Sequence, residues 1–469
     1  VINRHSTFRS YFVANDKFSN DPSNEVVQKV APRVNFKLCI LDYKDDNFVK
    51  PFDLSEAPLI HAELNIFDNK YQMLIDIHHI ICDGSSIGIF MDELCKAYND
   101  ESLDDVKYDS IDFILNNSYS QSDEDYFVNK FSNDIPIINM PVENSRSTVK
   151  SDEGKSVFDR IDNYNEINSF CRSLQITPYM FFISAFYILL YKYTMQNDIV
   201  VGSPIDLRDN ADFYKTPGMF VNTLALRQSI SSNSRFCDFA LSVKKNVLEA
   251  FSHEKYPFTE LVKHVPNLHR DPSRNPIFDV MFSYESQGLP KLNFDGLSTN
   301  ISVNNLSTSK FDFTLELTPV KNFYNLRLEY SSKLYGKKFI AYLIDCYKNI
   351  INLVLNDKEI LISDIKMFHS APHFYNDLKF DLSERVIDLF EKVVSENPDK
   401  TCLSFMGEHY TYKELEIKVN KLANHIKNTP IFRNIISKEP VKCIGIMMNR
   451  RSEIIISMLA ILKCGASYI

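Results

Sequence analysis

The sequence predicts an α/β chain of two units: a long strand-rich body, then the opening of a second α/β sheet beyond residue 380. Three observations carry this reading. Short runs of β-branched and aromatic residues, bounded by turn residues, alternate with helix-period stretches through the first part of the chain. One stretch, 179–193, is apolar almost all round and should be a buried helix. Past a break containing Pro372 the pattern becomes helix, strand, helix, strand, helix.

Length and composition agree. With 469 residues, 44% apolar and 24% charged, the chain has an ordinary globular make-up and room for about three folding units. Lys plus Arg total 52 against 61 Asp plus Glu, a net charge of −9, and no basic block could neutralise a run of phosphates. No nucleic-acid partner is expected. No apolar run reaches the roughly 20 residues that cross a bilayer, so no membrane association is expected either. The nine cysteines (39, 82, 95, 171, 237, 346, 402, 443 and 464) are odd in number and scattered without a CxxC pair. That pattern points to reduced thiols, a cytoplasmic setting and no metal site. The sequence starts at Val1 without an initiator Met and stops at Ile469 within an apolar pattern, and is expected to be a slice of a longer chain.

Extended segments are expected at 36–43, 58–67 and 71–80, then a helix at 87–98 and a polar stretch of loop and exposed helix at 99–125. Thr177 before Pro178 is a strong helix start, since a side-chain oxygen that caps an amide is followed by a residue with no amide hydrogen to leave unpaired. Strands follow at 198–204, 221–227 and 277–284, and a hairpin at 311–330 turns near Lys321 and Asn322. In the last part Ser383 should cap a helix, and 401–405 is a strand turning at Gly407. Thr411-Tyr412-Lys413-Glu414 is a capping box, 442–448 a strand, and 452–463 a helix closed by Gly465.

The densest chemical signal is Ile77-His78-His79-Ile80-Ile81-Cys82-Asp83-Gly84, at a strand-to-helix junction. Read as strand, alternation puts His79 with Ile77 and Ile75, and His78 with Asp76 and Leu74, so the two histidines have different tasks. The turn at Asp83 and Gly84 lets a helix begin at Ser85 or Ser86. Several readings compete. A metal site is poorly served, because the histidines diverge and no further His or Cys stands at ligand spacing. Gly84-Ser85-Ser86-Ile87-Gly88 fits GxSxG in a strand–turn–helix setting and would make Ser86 a hydrolase nucleophile. No glycine-rich oxyanion loop precedes it, however, and Ser86 serves equally as a helix cap. A purely structural histidine pair is a third reading. The fourth is a general base acting on a substrate brought by another protein.

These residues resemble the condensation domains of nonribosomal peptide synthetases, whose HHxxxDG signature is matched by residues 78–84. Further motifs follow in the family's order. Residues 3–12 resemble RHExLRTxF, with Ser6 and Phe8 in place of the usual Glu and Leu. Pro51-Phe52-Asp53-Leu54 with Pro58-Leu59 resembles the strand entry before the site. Residues 201–208 resemble VGxPxxxR, residues 217–223 GxFVNT, and His253 with Tyr256-Pro257-Phe258 resembles HxxxPFE, with Thr259 before Glu260. Residues 270–276 are similar to RDxSRNP. Tyr410-Thr411-Tyr412-Lys413-Glu414-Leu415 and residues 462–468 resemble the LTYxEL and LKxGxxY elements at the start of an adenylation domain.

The resemblance implies two chloramphenicol-acetyltransferase-like lobes forming a V. It places the first lobe at 1–155, with its SxxQ opening missing, the second at 156–370, a linker at 371–380 and an adenylation fragment at 381–469. The implied reaction joins two aminoacyl or peptidyl thioesters held on phosphopantetheine arms of upstream and downstream peptidyl carrier domains, within a larger synthetase polypeptide. This fragment itself binds no cofactor, because ATP and Mg²⁺ belong to the complete adenylation domain. The implied roles are His79 as proton acceptor, with His78 and the Gly84 amide beside it as catalytic groups. Asp83 and Arg208 form a structural ion pair, and Asn222 lies on the substrate channel. Arg270, Asp271 and Arg274 are expected to tie down a loop. The sequence following Gly84 looks like the subtype that joins two L-residues. Two alternatives stand beside this: a coenzyme A-dependent acyltransferase of the same fold, and a non-catalytic docking module for carrier proteins.

Overall fold

The structure is a computed structural model that describes residues 1–14, 26–45, 47–68, 70–208, 211–266, 268, 270–286, 290–302, 307–367, 385–405, 407–432, 443–449 and 451–469. The expected linker 371–380, Ser383 and Lys442 lie outside the described residues. The chain divides into two compact units, Val1–Ala371 and Pro372–Ile469.

The first unit opens with β1 (Ser10–Ala14) and β2 (Val26–Val30), paired antiparallel. A three-stranded sheet follows, in the order β3 (Cys39–Leu41), β4 (Ile60–Phe67) and β5 (Lys70–Ile77). β5 is shorter than the expected 71–80. The backbone leaves the strand after Ile77 and turns through a 3₁₀ segment, His79–Ile81, before α1 (Gly84–Tyr98). That helix starts earlier than expected because Asp83, rather than a serine, caps it: its carboxylate accepts the Ser86 amide hydrogen at 2.9 Å. Phe90 docks α1 onto Phe8, Leu59, Ile60 and Ile81. Two short helices, α2 (Ser110–Asn116) and α3 (Gln121–Lys130), occupy the expected polar stretch, each opened by a capping box.

The remainder of the unit is built on β6 (Gly154–Ile161), α4 (Tyr164–Leu174), α5 (Pro178–Thr194), β7 (Asp198–Asp206), β8 (Val221–Ser229), α6 (Phe236–Phe251), α7 (Phe258–His264), β9 (Val280–Tyr284), β10 (Phe313–Val320), β11 (Phe323–Ser331) and α8 (Lys337–Asn356). Its six strands run in the order β6-β11-β10-β9-β7-β8. Thr177 accepts the Met180 amide hydrogen at 3.2 Å to open α5, and every residue from Met180 to Tyr191 is buried. α5 is enclosed by α4, α6 and α8, which explains why it shows no polar face. The lobe boundary expected at 155 separates α3 from this core, yet Phe127 of α3 and Phe131 just after it, with Ile138 and Met140, pack inside it.

β7 and β9 pair at Gly202 and Met281, where the Phe278 ring lies so close that a Cβ on Gly202 would stand 2.1 Å from its Cε2. Gly202→Ala therefore overpacks the junction of β7 and β9. We expect a loss of about 1–3 kcal/mol, read as a lower denaturant midpoint with unchanged slope.

In the second unit, α9 (Val386–Glu396) precedes a hairpin of β12 (Thr401–Phe405) and β13 (Glu408–Thr411) that turns at Gly407, whose φ is +88°. The expected capping box opens α10 (Tyr412–Asn428): Glu414 N–H donates to Thr411 Oγ1 at 3.3 Å, and Thr411 N–H donates to Glu414 Oε2 at 2.9 Å. β14 (Cys443–Ile444), α11 (Glu453–Lys463) and β15 (Ser467–Tyr468) form a parallel crossover, with Gly465 at φ +73° after the helix. Among the described residues no single helix is long and apolar enough to cross a membrane.

Candidate active site

The histidine pair sits where β5 gives way to the 3₁₀ turn, so strand alternation does not set its orientation. Hydrogen bonding does. His78 Nδ1 accepts the Ile80 amide hydrogen at 3.1 Å, which caps the turn and leaves the proton of the neutral ring on Nε2. The His78 ring meets Phe52 edge-on, and burial, reinforced by neighbouring His79, holds its pKa below the usual imidazole value. His79 is arranged the opposite way. Its Nδ1 lies 2.8 Å from the Cys82 carbonyl oxygen, and because a carbonyl only accepts, Nδ1 carries the proton and Nε2 a lone pair. The His79 residue is exposed, whereas Cys82 is buried and its thiol is pushed up to about 12 by that burial. The His79 ring is open to solvent, and the buried thiol is not a nucleophile.

Asp83 turns away from this surface and is only 1% exposed. Its Oδ1 accepts from Ser86 N–H at 2.9 Å, Ser86 Oγ at 2.6 Å and Arg208 Nη2 at 3.0 Å. Its Oδ2 accepts from Arg208 Nη1 at 2.8 Å and from the Phe220 amide at 3.0 Å. Burial alone would raise this carboxyl, but the Arg208 hydrogen bonds and charge outweigh it and hold the pKa below the usual carboxylate value. Arg208 also donates to Asp206 at 2.9 Å and to the Thr216 carbonyl, and its guanidinium stacks 4.0 Å from the Phe220 ring centroid. This cluster ties the start of α1 to β7 and to the segment before β8, so it links the three-stranded sheet that α1 packs on to the six-stranded sheet.

Ser86 is fully buried inside the same cluster. Its hydroxyl lies 2.8 Å from the Gly218 carbonyl and accepts the Gly218 amide hydrogen at 2.9 Å. A serine so enclosed, with no histidine beside it, has neither the access nor the base that a nucleophile needs. The hydrolase reading is set aside on this ground. Ser86→Ala should retain at least half of the parental reaction rate while melting lower, because a buried hydroxyl network is worth about 1–3 kcal/mol when one partner is removed. Rate and melting curves on the same preparation check this.

Gly84 occupies the first position of α1, where its amide has no intrahelical acceptor. Asn222, on β8, has its side-chain amide fully engaged by the backbone. Its Nδ2 donates to the Glu254 and Tyr256 carbonyls at 2.7 and 2.8 Å, and its Oδ1 accepts from Thr223 and Phe258 amides at 2.8 and 3.2 Å. Both amide hydrogens and both lone pairs are used, so the side chain pins the turn before α7 and has nothing to offer a substrate. In the 270–276 segment Asp271 accepts from Ser273 N–H at 2.8 Å and Arg274 pairs with Asp279, which ties the loop down. Among the described residues no group of three or more His, Cys, Asp or Glu stands together as a metal site.

Sequence reasoning did not find the backbone of Gly218 and Phe220 as partners of the buried serine and aspartate, nor Asp206 beside Arg208. It also missed Arg4 and His5, which bind Glu93 of α1 at 3.1 and 2.8 Å. The signal was present in part, since all but Glu93 lie in or beside segments that carry motifs.

An exposed histidine whose unprotonated nitrogen is set by a backbone carbonyl thus stands beside a buried aspartate–arginine pair, in an α/β fold of the chloramphenicol-acetyltransferase-like kind. The chain belongs to the condensation-domain family, acyltransferases that form amide bonds in nonribosomal peptide synthetases: the family described as Condensation domain matches residues 1–373, and AMP-binding enzyme matches residues 390–469. Among curated relatives, bacitracin synthase 3 of Bacillus licheniformis is 33% identical over 492 residues, covering 100% of this chain and 8% of the relative. Surfactin synthase subunit 2 of Bacillus subtilis (strain 168) is 32% identical over 491 residues, covering 100% of this chain and 13% of the relative. The chain thus spans a small part of these relatives' length. A solved four-domain nonribosomal peptide synthetase bound to AMP and glycine has a TM-score of 0.67 at 20% identity, covering 100% of this chain and 37% of its own. The first condensation domain of the calcium-dependent antibiotic synthetase, with a substrate analogue, has a TM-score of 0.60 at 14% identity, covering 77% of this chain and 87% of its own. These likenesses show a shared fold.

Proposed function

We propose that this chain joins an upstream aminoacyl or peptidyl thioester to the α-amine of a downstream aminoacyl thioester, both tethered to carrier domains of one synthetase. The observation that carries the reading is the exposed His79 ring, held by the Cys82 carbonyl with Nε2 free. The amine nitrogen attacks the thioester carbon, Nε2 takes the proton that nitrogen sheds, and collapse breaks the carbon–sulfur bond to leave an amide and a thiol. His78 shapes the turn, the Gly84 amide faces the developing oxyanion, and Asp83 with Arg208 keeps the scaffold in place. Asn222 serves the scaffold too.

The phosphopantetheine arm stays on the partner carriers and supplies the thioester. A cytoplasmic location and the joining of two L-residues complete the proposal.

An assay with two loaded carrier proteins tests it, with the donor charged in L or D form. Dipeptidyl thioester on the downstream carrier, faster from the L donor, is the expected result. Turnover with acyl coenzyme A alone would instead identify the acyltransferase, and carrier binding without product the docking module.

A further inference from the structure

β9 ends at Tyr284, and the Glu285 amide donates to the Leu317 carbonyl at 2.9 Å, which holds the next residue against β10. The Glu285 side chain then reaches the turn after the histidine motif: its Oε2 lies 3.8 Å from where a Cβ on Gly84 would stand. The carboxylates around it each meet an arginine, though they outnumber the arginines. Asp83 and Asp206 share Arg208 at 2.8 and 2.9 Å, and Glu316 pairs with Arg327 at 3.3 Å. Glu285 has no such partner among the described residues. Its Oε1 accepts only the Ser283 hydroxyl at 3.2 Å. The residue is open to solvent, yet surrounding protein, then Glu316, Asp206 and Asp83, raise its proton affinity above the usual carboxylate value. An anion in a negative neighbourhood, next to the site and with no cation partner among the described residues, has room and reason to take a cation from the substrate.

The acceptor substrate carries one. An α-amine with pKa near 7.7 to 8.0 arrives at neutral pH mostly as ammonium, and some acceptors bear a second ammonium on the side chain. We infer that Glu285 recognises a positive charge on the acceptor. The inference rests on the proposed reaction, in which the downstream substrate is the amine, and adds a residue outside the histidine motif that selects for it. Glu285 acts in binding, ahead of the proton transfer at His79.

The test uses the full chain, a loaded donor carrier, and cysteamine thioesters of L-leucine and L-ornithine as soluble acceptors. Glu285→Gln should raise the acceptor KM about tenfold, the cost of losing one charge-assisted contact, with kcat and the donor KM within about twofold of the parent. Glu285→Lys should raise it further at an unchanged melting temperature. A rise with both acceptors assigns the contact to the α-ammonium, and a rise with ornithine alone assigns it to the side chain. If Glu285→Gln leaves both acceptor KM values at the parental level while His79→Ala is impaired, the inference is overturned and the proposed reaction stands. If the unaltered chain makes no product from either acceptor, the proposed reaction falls and takes this inference with it.

Discussion

His79→Ala should lower the rate of amide formation by about 10²- to 10⁴-fold while the protein melts at the parental temperature. The size follows from what the ring does. Removing it deletes the proposed proton acceptor, but not the alignment of two tethered reactants, which contributes separately and can exceed the contribution of the base. The stability follows from position: the ring is exposed, and its one hydrogen bond is to a carbonyl within its own turn. Single-turnover kinetics with saturating loaded carriers, run beside a thermal melt, measures both. Condensation at the parental rate by a folded His79→Ala would refute the base assignment.

Asp83→Ala should cost about 3–5 kcal/mol, a large fraction of the roughly 5–15 kcal/mol that holds a typical protein folded. Truncation leaves the Arg208 guanidinium buried without its main counter-charge and strips partners from the Ser86 and Phe220 amides. It also removes the cap of α1, so the damage reaches both sheets that the cluster joins. The pH dependence has a definite sign. The Arg208 guanidinium holds the folded Asp83 pKa below the usual carboxylate value, so its contribution is complete above the unfolded pKa and is lost as pH falls through the folded one. Denaturant titration of Asp83→Ala should give either a strongly lowered midpoint or insoluble protein. A soluble variant melting cooperatively near the parental temperature would show that the pair does not carry this load.

Much of the fold was legible because it is written in local chemistry. Thr177-Pro178 and the Thr411–Glu414 box are short-range hydrogen-bond patterns, and both helices start there. The nearly all-apolar 179–193 stretch reads as a buried helix, and is one. The histidine turn was less legible: an apolar run ending in two histidines reads as strand, and only tertiary packing shows the chain leaving β5 at Ile77. The cap of α1 was misplaced onto a serine because Ser85, Ser86 and Asp83 all have capping side chains, and the choice falls to the one that also meets Arg208. Asn222 shows the same limit. Nothing in its neighbours along the chain reveals that its amide is consumed by residues 254–258, more than 30 positions away. Backbone partners such as Gly218 and Phe220 have no residue-type signal at all.

The central claim is that His79 presents an unprotonated Nε2 because its Nδ1 proton is held by the Cys82 carbonyl. Long-range ¹H–¹⁵N correlation spectra of ¹⁵N-histidine-labelled protein, recorded above the range where imidazoles protonate and assigned with His78 and His79 variants, read the tautomer of each ring. The account predicts protonated Nδ1 and bare Nε2 for His79, with the reverse for His78. A His79 ring carrying its proton on Nε2 would have no lone pair facing the substrate, and would contradict it.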